Sequence, residues 1–334
     1  MPTVFPDLGW HCEPVGDGSV RHLIIQLPHE NEIPQPGEEC EMAEDAGKYG
    51  VLICVDGSAA SDAAVAWGTR EAIMHRLPVT LMYAVPPVVV GWPVGQLYAD
   101  MPDWQLDDAR QVVDQARKTL TAGLSGAEEP EVHTRTVYSS VVPALVEASK
   151  DAWMVVAGSE GLGTMGRLLL GSVTTGLVHH AHCPVAVVHQ GPDATPDPGA
   201  PVLLGIDGSP ASEAATALAF GEASRRRVDL LALHVWSDVG VFPVLGMDWH
   251  DRENEGQEIL AERLAGWQER YPDVHVERLL HCDKPSHWLI KESERAQLVV
   301  VGSRGRGGFP GMLLGSVSSA VVQSVKVPVI VVRP

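Results

Sequence analysis

The chain has 334 residues, 45% of them hydrophobic and 20% charged, which suits a globular protein with room for two cores. Its 24 Lys and Arg against 43 Asp and Glu give a formal net charge of −19, so neither a nucleic-acid backbone nor an anionic membrane is expected as a partner. Any bound phosphate must then be held by local backbone dipoles, not by the overall field.

No run of about 18 apolar residues occurs, so no membrane span is expected. The N-terminus lacks a basic segment followed by an apolar one, and no secretory signal is expected. Five cysteines (Cys12, Cys40, Cys54, Cys183 and Cys282) are widely spaced without a C-x-x-C. That pattern predicts reduced thiols and a cytoplasmic location.

Residues 1–48 read as an acidic, Pro/Gly-rich extension, irregular apart from the strand-like run HLIIQL. The rest is a duplication. VLICVDGSAASDAA (Val51 to Ala64) resembles VLLGIDGSPASEAA (Val202 to Ala215) at an offset of about 151 residues. Two homologous domains are expected over 49–190 and 201–334, joined by the linker GPDATPDPGA at 191–200.

Each copy predicts the same order of elements. A short apolar strand leads through Asp-Gly-Ser into a helix (Ala59 to Arg76; Pro210 to Arg226). A second strand follows (Val79 to Val85; Asp229 to Trp236), then a loop with Pro and Trp and a polar helix (about Asp103 to Ala122; Asp251 to Glu269). A third strand (Val132 to Tyr138; Val274 to Leu280), a helix, a very apolar strand, a glycine-rich loop, a helix and a closing strand complete the unit. Apolar strands alternating with helices predict an α/β fold, here two tandem doubly wound five-stranded parallel sheets covered on both faces. Ligands are expected at the carboxyl ends of such strands, near the switch point.

Three features fall there in both copies. Asp56-Gly57-Ser58 and Asp207-Gly208-Ser209 follow the first strand. The spacing G-x2-G-x9-G-S is met by Gly158, Gly161, Gly171 and Ser172, and again by Gly302, Gly305, Gly315 and Ser316. Val85 or Val235 closes strand two. Glycines let backbone N–H groups surround an anion, and the helix beginning near Ser172 or Ser316 adds its dipole and a hydroxyl. The carboxylate suits ribose hydroxyls or a metal accompanying phosphates. The backbone at Val85 or Val235 can address an adenine edge. Together these features describe a nucleotide crevice, although glycines after a strand also make tight turns, and Ser58 or Ser209 is equally a helix cap.

Competing motifs are weaker. GLGTMG (Gly161 to Gly166) matches G-x-G-x-x-G formally, but it follows the fourth strand and no acidic residue lies about 20 residues on. His179, His180, His182 and Cys183 read either as a metal cluster or as histidines closing a helix, and the helix reading is preferred. Trp92, Trp104, Trp236 and Trp249 flank the loop after strand two and read as packing or interface residues.

The Asp-Gly-Ser element, the G-x2-G-x9-G-[ST] spacing and the closing strand VPVIVV resemble the universal stress protein family, in its ATP-binding branch, over about 49–334. The tandem arrangement resembles two-domain members typical of actinobacteria. The resemblance implies one ATP site lined by Gly205, Asp207, Gly208, Ser209, Val235, Gly302, Ser303, Arg304, Gly305, Arg306, Gly307, Gly308, Gly315, Ser316, Val317 and Ser318. It implies another lined by Asp56, Gly57, Ser58, Val85, Gly158, Ser159, Gly161, Gly163, Thr164, Gly171, Ser172, Val173 and Thr174. ATP with Mg2+ is the implied cofactor; a homodimer and an unidentified protein partner are implied as well. Val185 to His189 should pair with Val329 to Val332 within one chain.

The copies differ in charge: Arg304 and Arg306 in the second loop stand against Glu160 and Leu162 in the first. A charge pair about 6 Å apart interacts by about 2–3 kcal/mol at an effective dielectric of about 20. Tighter binding is therefore expected at the second site, and Cys54 in place of Gly205 is expected to narrow the first. No base positioned to activate water is evident, so slow hydrolysis is the most that is expected. A nucleotide-dependent enzyme of related fold (adenylating, or of flavin or NAD type) and a purely structural duplication remain the alternatives.

Overall fold

A computed structural model describes residues 47–86, 103–124, 129–160, 170–191, 196–236, 249–306 and 313–333. Residues 1–46 of the acidic extension, Trp92 and the loop residues Gly161, Leu162, Gly163, Thr164, Gly307 and Gly308 lie outside the described residues, as do the side chains of Trp104 and Trp249.

In the first repeat the order is β1 (Val51–Cys54), α1 (Ala59–His75), β2 (Val79–Val85), α2 (Asp103–Gly123), β3 (Val132–Tyr138), α3 (Val141–Ala148), β4 (Met154–Gly158), α4 (Ser172–His180) and β5 (Val185–Val188). The second repeats it: β6 (Val202–Gly205), α5 (Pro210–Arg226), β7 (Leu230–Trp236), α6 (Trp249–Arg270), β8 (Val276–Cys282), α7 (Pro285–Glu292), β9 (Leu298–Gly302), α8 (Ser316–Ser324) and β10 (Val329–Val332). All ten strands form one sheet in the order β3-β2-β1-β4-β5-β10-β9-β6-β7-β8. Each half is parallel, with Val51 opposite Val79 on one side and Met154 on the other.

The halves join antiparallel through β5 and β10, with Ala186 opposite Ile330. The expected intrachain pairing of the closing strands is therefore present. It relates the repeats by a pseudo-two-fold axis and removes the exposed edge that each half would otherwise carry.

Side chains alternate across the central strands. Val51 and Ile53 enter one core and Leu52 the other. The first core lies under α1, α2, α5 and α6, and the second under α3, α4, α7 and α8. Strands buried on both faces read as continuous apolar runs.

The outermost strands β3 and β8 depart from that rule. Positions such as His133, Thr134, Arg135 and Thr136 are exposed, because an edge strand contributes to only part of each core. The third strand of the second repeat also shifts from the expected start at Val274 to Val276. Its ladder with β7 runs on to the pair Trp236 and Cys282, while Val274 closes a turn on Tyr271.

Local chemistry fixes α1 and α5 identically. Ser58 and Ser209 cap them, accepting from the amides of Ser61 (3.1 Å) and Ser212 (3.2 Å). Both helices end on an arginine in the left-handed region, Arg76 and Arg227, each with φ 55°.

Candidate functional site

The carboxyl ends of β6 and β9 and the start of α8 meet beside Asp207. Oδ1 of Asp207 accepts from the Ser209 amide at 3.0 Å, and Oδ2 accepts from the Arg306 amide at 3.1 Å. A Cβ placed on Gly305 would fall on Oδ2 of Asp207, so a side chain there would displace the carboxylate oxygen that receives the Arg306 amide. Gly208 sits at φ +73°, and a Cβ there would strike the guanidinium groups of Arg306 and Arg263. The second glycine bend thus lies against its aspartate, as the sequence spacing implies.

The start of α8 is held by a chain of bonds. The Ser303 amide donates to Val332 O (2.7 Å), the Gly315 amide to Ser303 O (2.8 Å), and Ser318 Oγ to Gly302 O (2.6 Å). The first repeat reproduces it: Ser159 to Val188 O (2.8 Å), Gly171 to Ser159 O (2.9 Å), and Thr174 Oγ1 to Gly158 O (2.6 Å). Gly171 and Gly315 are the N-caps. The first intrahelical bonds are those of the Thr175 amide to Gly171 O and the Ser319 amide to Gly315 O, so the first-turn amides of Ser172 to Thr174 and of Ser316 to Ser318 have no intrahelical acceptor.

Several residues expected to line the sites have other roles. Gly158 and Gly302 admit a helix rather than a ligand: a Cβ would lie 2.6 Å from the Ala60 backbone in one case and 2.8 Å from that of Ala211 in the other. Thr174 and Ser318 are buried and turn their hydroxyls to the strand ends, which positions the helix start. The Ser58 and Ser209 hydroxyls are committed to capping, and Ser209 Oγ also donates to Arg304 O at 3.0 Å.

The Val85 carbonyl accepts from the Ser139 amide at 3.1 Å, so it offers a ligand only its second lone pair. A Cβ at Gly205 would meet Leu289 and Val301 at 3.1 and 3.2 Å, which places that position in the core. Cys54 accordingly packs into the core instead of narrowing the first site. Burial, with Cys183 and Asp56 nearby, pushes its thiol far up.

The sites differ more than the loops alone suggest. Val112 lies 3.3 Å from a Cβ built on Gly57, where Arg263 stands over Gly208. Val112 and Arg263 occupy the same register at the 151-residue offset. Arg263 is anchored by Glu213 Oε1 at 2.6 Å. At the first site Tyr83 donates to Asp108 Oδ2 at 3.4 Å, and burial together with Asp108 and Asp56 pushes the phenol up. Among the described residues, arginines therefore stand over the second aspartate turn, whereas Asp108 and Tyr83 stand beside the first. Arg263 carries no local motif within a polar helix; only aligning the repeats residue by residue would have exposed it.

The His179–Cys183 run does not gather ligand atoms. His179 and His180 close α4, with His179 Nδ1 2.7 Å from Thr175 O, whereas His182 is exposed and Cys183 buried.

A family model described as the universal stress protein family matches residues 50–189 and 200–333. A universal stress protein of Mycolicibacterium smegmatis (strain ATCC 700084 / mc(2)155) is 55% identical over 293 residues, covering 88% of this chain and 100% of that protein. A universal stress protein of Mycobacterium tuberculosis (strain ATCC 25618 / H37Rv) is 50% identical over 293 residues, covering 87% and 99%. Among solved structures, a universal stress protein from Archaeoglobus fulgidus DSM 4304 matches with a TM-score of 0.63 and 19% identity, over 85% of this chain and 97% of that one. At that identity the likeness speaks for the fold. Among the described residues no helix is long and apolar enough to cross a membrane.

Proposed function

This chain belongs to the universal stress protein family, and from that premise we propose that it is a cytoplasmic stress-response module that binds ATP, with Mg2+, in two crevices. Its output is conformational or runs through a protein partner, with at most slow hydrolysis. The nucleotide-binding units are the domains 49–190 and 201–334, joined by 191–200 and assembled as a homodimer of tandem chains.

The observation that carries this reading is the glycine bend laid against Asp207, with the Arg306 amide on its carboxylate and the Arg263 and Arg306 side chains over Gly208. The first-turn amides of α8 and the loop amides supply fixed positive dipoles for phosphate oxygens. The Asp207 oxygens keep lone pairs beyond those used by Ser209 and Arg306, which suits a ribose hydroxyl or a hydrated Mg2+. Asp56 offers the same with Oδ1 on the Ser58 amide at 2.9 Å. Bound Mg2+ would neutralise phosphate charge that the acidic exterior repels.

Chromatography of the nucleotide released on denaturing the purified full-length protein tests the reading. ATP supports it. A flavin or NAD points to the enzyme alternative. No released nucleotide, combined with no heat on ATP titration, leaves a structural duplication.

A further inference from the structure

The C-terminal halves of α1 and α5 meet across the pseudo-two-fold axis. Glu71 and Glu222 are register equivalents at the 151-residue offset, and so are His75 and Arg226. The four side chains form one buried group between the repeats: Glu71 is 1% exposed, Glu222 0%, His75 6% and Arg226 11%. Arg226 holds one oxygen of each carboxylate, with Nε 3.0 Å from Glu222 Oε2 and Nη2 on Glu71 Oε1. The remaining oxygens turn towards the imidazole: His75 Nε2 is 2.7 Å from Glu222 Oε1 and 4.0 Å from Glu71 Oε2. Glu71 Oε2 is buried and has no hydrogen-bond partner.

We propose that Glu71 Oε2, His75 Nε2 and Glu222 Oε1 form a site for a divalent transition-metal ion of the zinc class, joining the two repeats. The three atoms all lie within 4.8 Å of one another. Bonds of about 2.0–2.1 Å in a tetrahedral site place neighbouring ligand atoms about 3.3 Å apart. The short contact to Glu222 must open and the long one to Glu71 must close, each by less than about 1 Å of side-chain rotation.

One imidazole and two carboxylates suit zinc and its neighbours better than Mg2+ or Ca2+, which take oxygen alone, or Cu(I), which prefers sulfur. Arg226 plays the outer role usual at such sites, orienting each ligating carboxylate through its other oxygen. The Trp153 ring, 4.3 Å from that of His75, keeps the imidazole in place.

A bare ion-pair cluster leaves Glu71 Oε2 unsatisfied, at a cost that burial makes large. Burial first, then Glu222, pushes the Glu71 carboxyl up. Although burial opposes it, the hydrogen bond from His75 and the charge of Arg226 hold Glu222 down. A metal ion supplies the partner that Glu71 Oε2 lacks. Arg226 also reaches Gln297 Oε1 at 3.1 Å, and Gln297 Nε2 donates to Pro198 O at 2.8 Å, so the site also braces the linker.

The test is zinc titration of chelator-stripped, full-length protein, with Co2+ substituted for spectroscopy. Expected are one tightly bound ion per chain, a raised Tm and the intense visible bands of low-symmetry four-coordinate cobalt. Glu71→Gln keeps an oxygen for Arg226 and should weaken binding by about 100-fold, as should His75→Phe, whereas a His180→Gln, His182→Gln double variant should bind normally. The cobalt spectrum and the imidazole N–H signal shifted by cobalt read the ligand set in the unmodified protein, should a variant fold poorly. Absence of tight binding, binding indifferent to Glu71→Gln and His75→Phe, or a cobalt spectrum without a histidine overturns the proposal.

Discussion

The main-chain amide of Arg306 donates to Oδ2 of Asp207 at 3.1 Å across 99 residues of sequence. It fixes the glycine bend after β9 against the end of β6, so the carboxylate organises the loop as well as facing the crevice. Hydrogen bonds to charged groups contribute about 1.5–3 kcal/mol. Asp207→Ala should weaken ATP binding at the second site by about 10- to 100-fold in titration calorimetry, while Asp56→Ala leaves that site untouched.

The cationic side chains beside Gly208 predict tighter ATP binding at the second site. Exchanging Arg263 and Arg306 for the residues of the first repeat, as Arg263→Val with Arg306→Leu, should reduce its affinity about 10-fold, with most of the difference lost in high salt. Gly302→Val drives a side chain into the Ala211 backbone, 2.8 Å from the Cβ position, and should lower the stoichiometry to one site. Full stoichiometry with undiminished affinity in that variant would refute the ranking.

Ser318 Oγ donates to Gly302 O at 2.6 Å from a buried position. Ser318→Ala leaves that carbonyl without its partner and should cost about 1 kcal/mol of stability. Since α8 stays in place through Gly315 and Ser303, ATP affinity should fall by less than about 10-fold. Thermal melts and calorimetry on the same sample separate the two effects.

His189 lies at the end of β5, where Arg333 stands at the end of β10. Arg333 Nη2 donates to Val178 O at 3.0 Å, whereas His189 Nε2 is buried without a partner. Burial lowers the pKa of His189 from 6.5, a backbone hydrogen bond with Val322 opposing it. The folded protein then binds fewer protons here than the unfolded chain. Stability from this group is full above pH 6.5 and is lost as pH falls towards the depressed value. His189→Gln should flatten the fall of Tm over that acidic range; an unchanged pH profile would count against it.

The duplication, the order of elements and the Asp-Gly-Ser and glycine spacings were legible because each is a local signal: hydrophobic runs, caps and turn residues separated by fixed counts. Even the pairing of β5 with β10 followed from the family resemblance. Roles within the crevice were less legible. Gly158, Gly302, Thr174 and Ser318 carry the motif, yet their contacts are with the first turn of α1 or α5 and with the strand ends.

Sequence by itself determined that this is a twice-repeated α/β chain with a candidate phosphate bend beside an aspartate in each copy, because those signals depend on neighbours along the chain. Only tertiary structure decided that Arg263 joins Arg306 over Gly208, that Cys54 belongs to the core, and that Glu71, His75, Glu222 and Arg226 are buried together. These residues come from strands, loops and helices far apart in sequence. Their meeting is set by how α1 and α5 cross at the axis and how α6 lies on the sheet, geometry that no local pattern encodes.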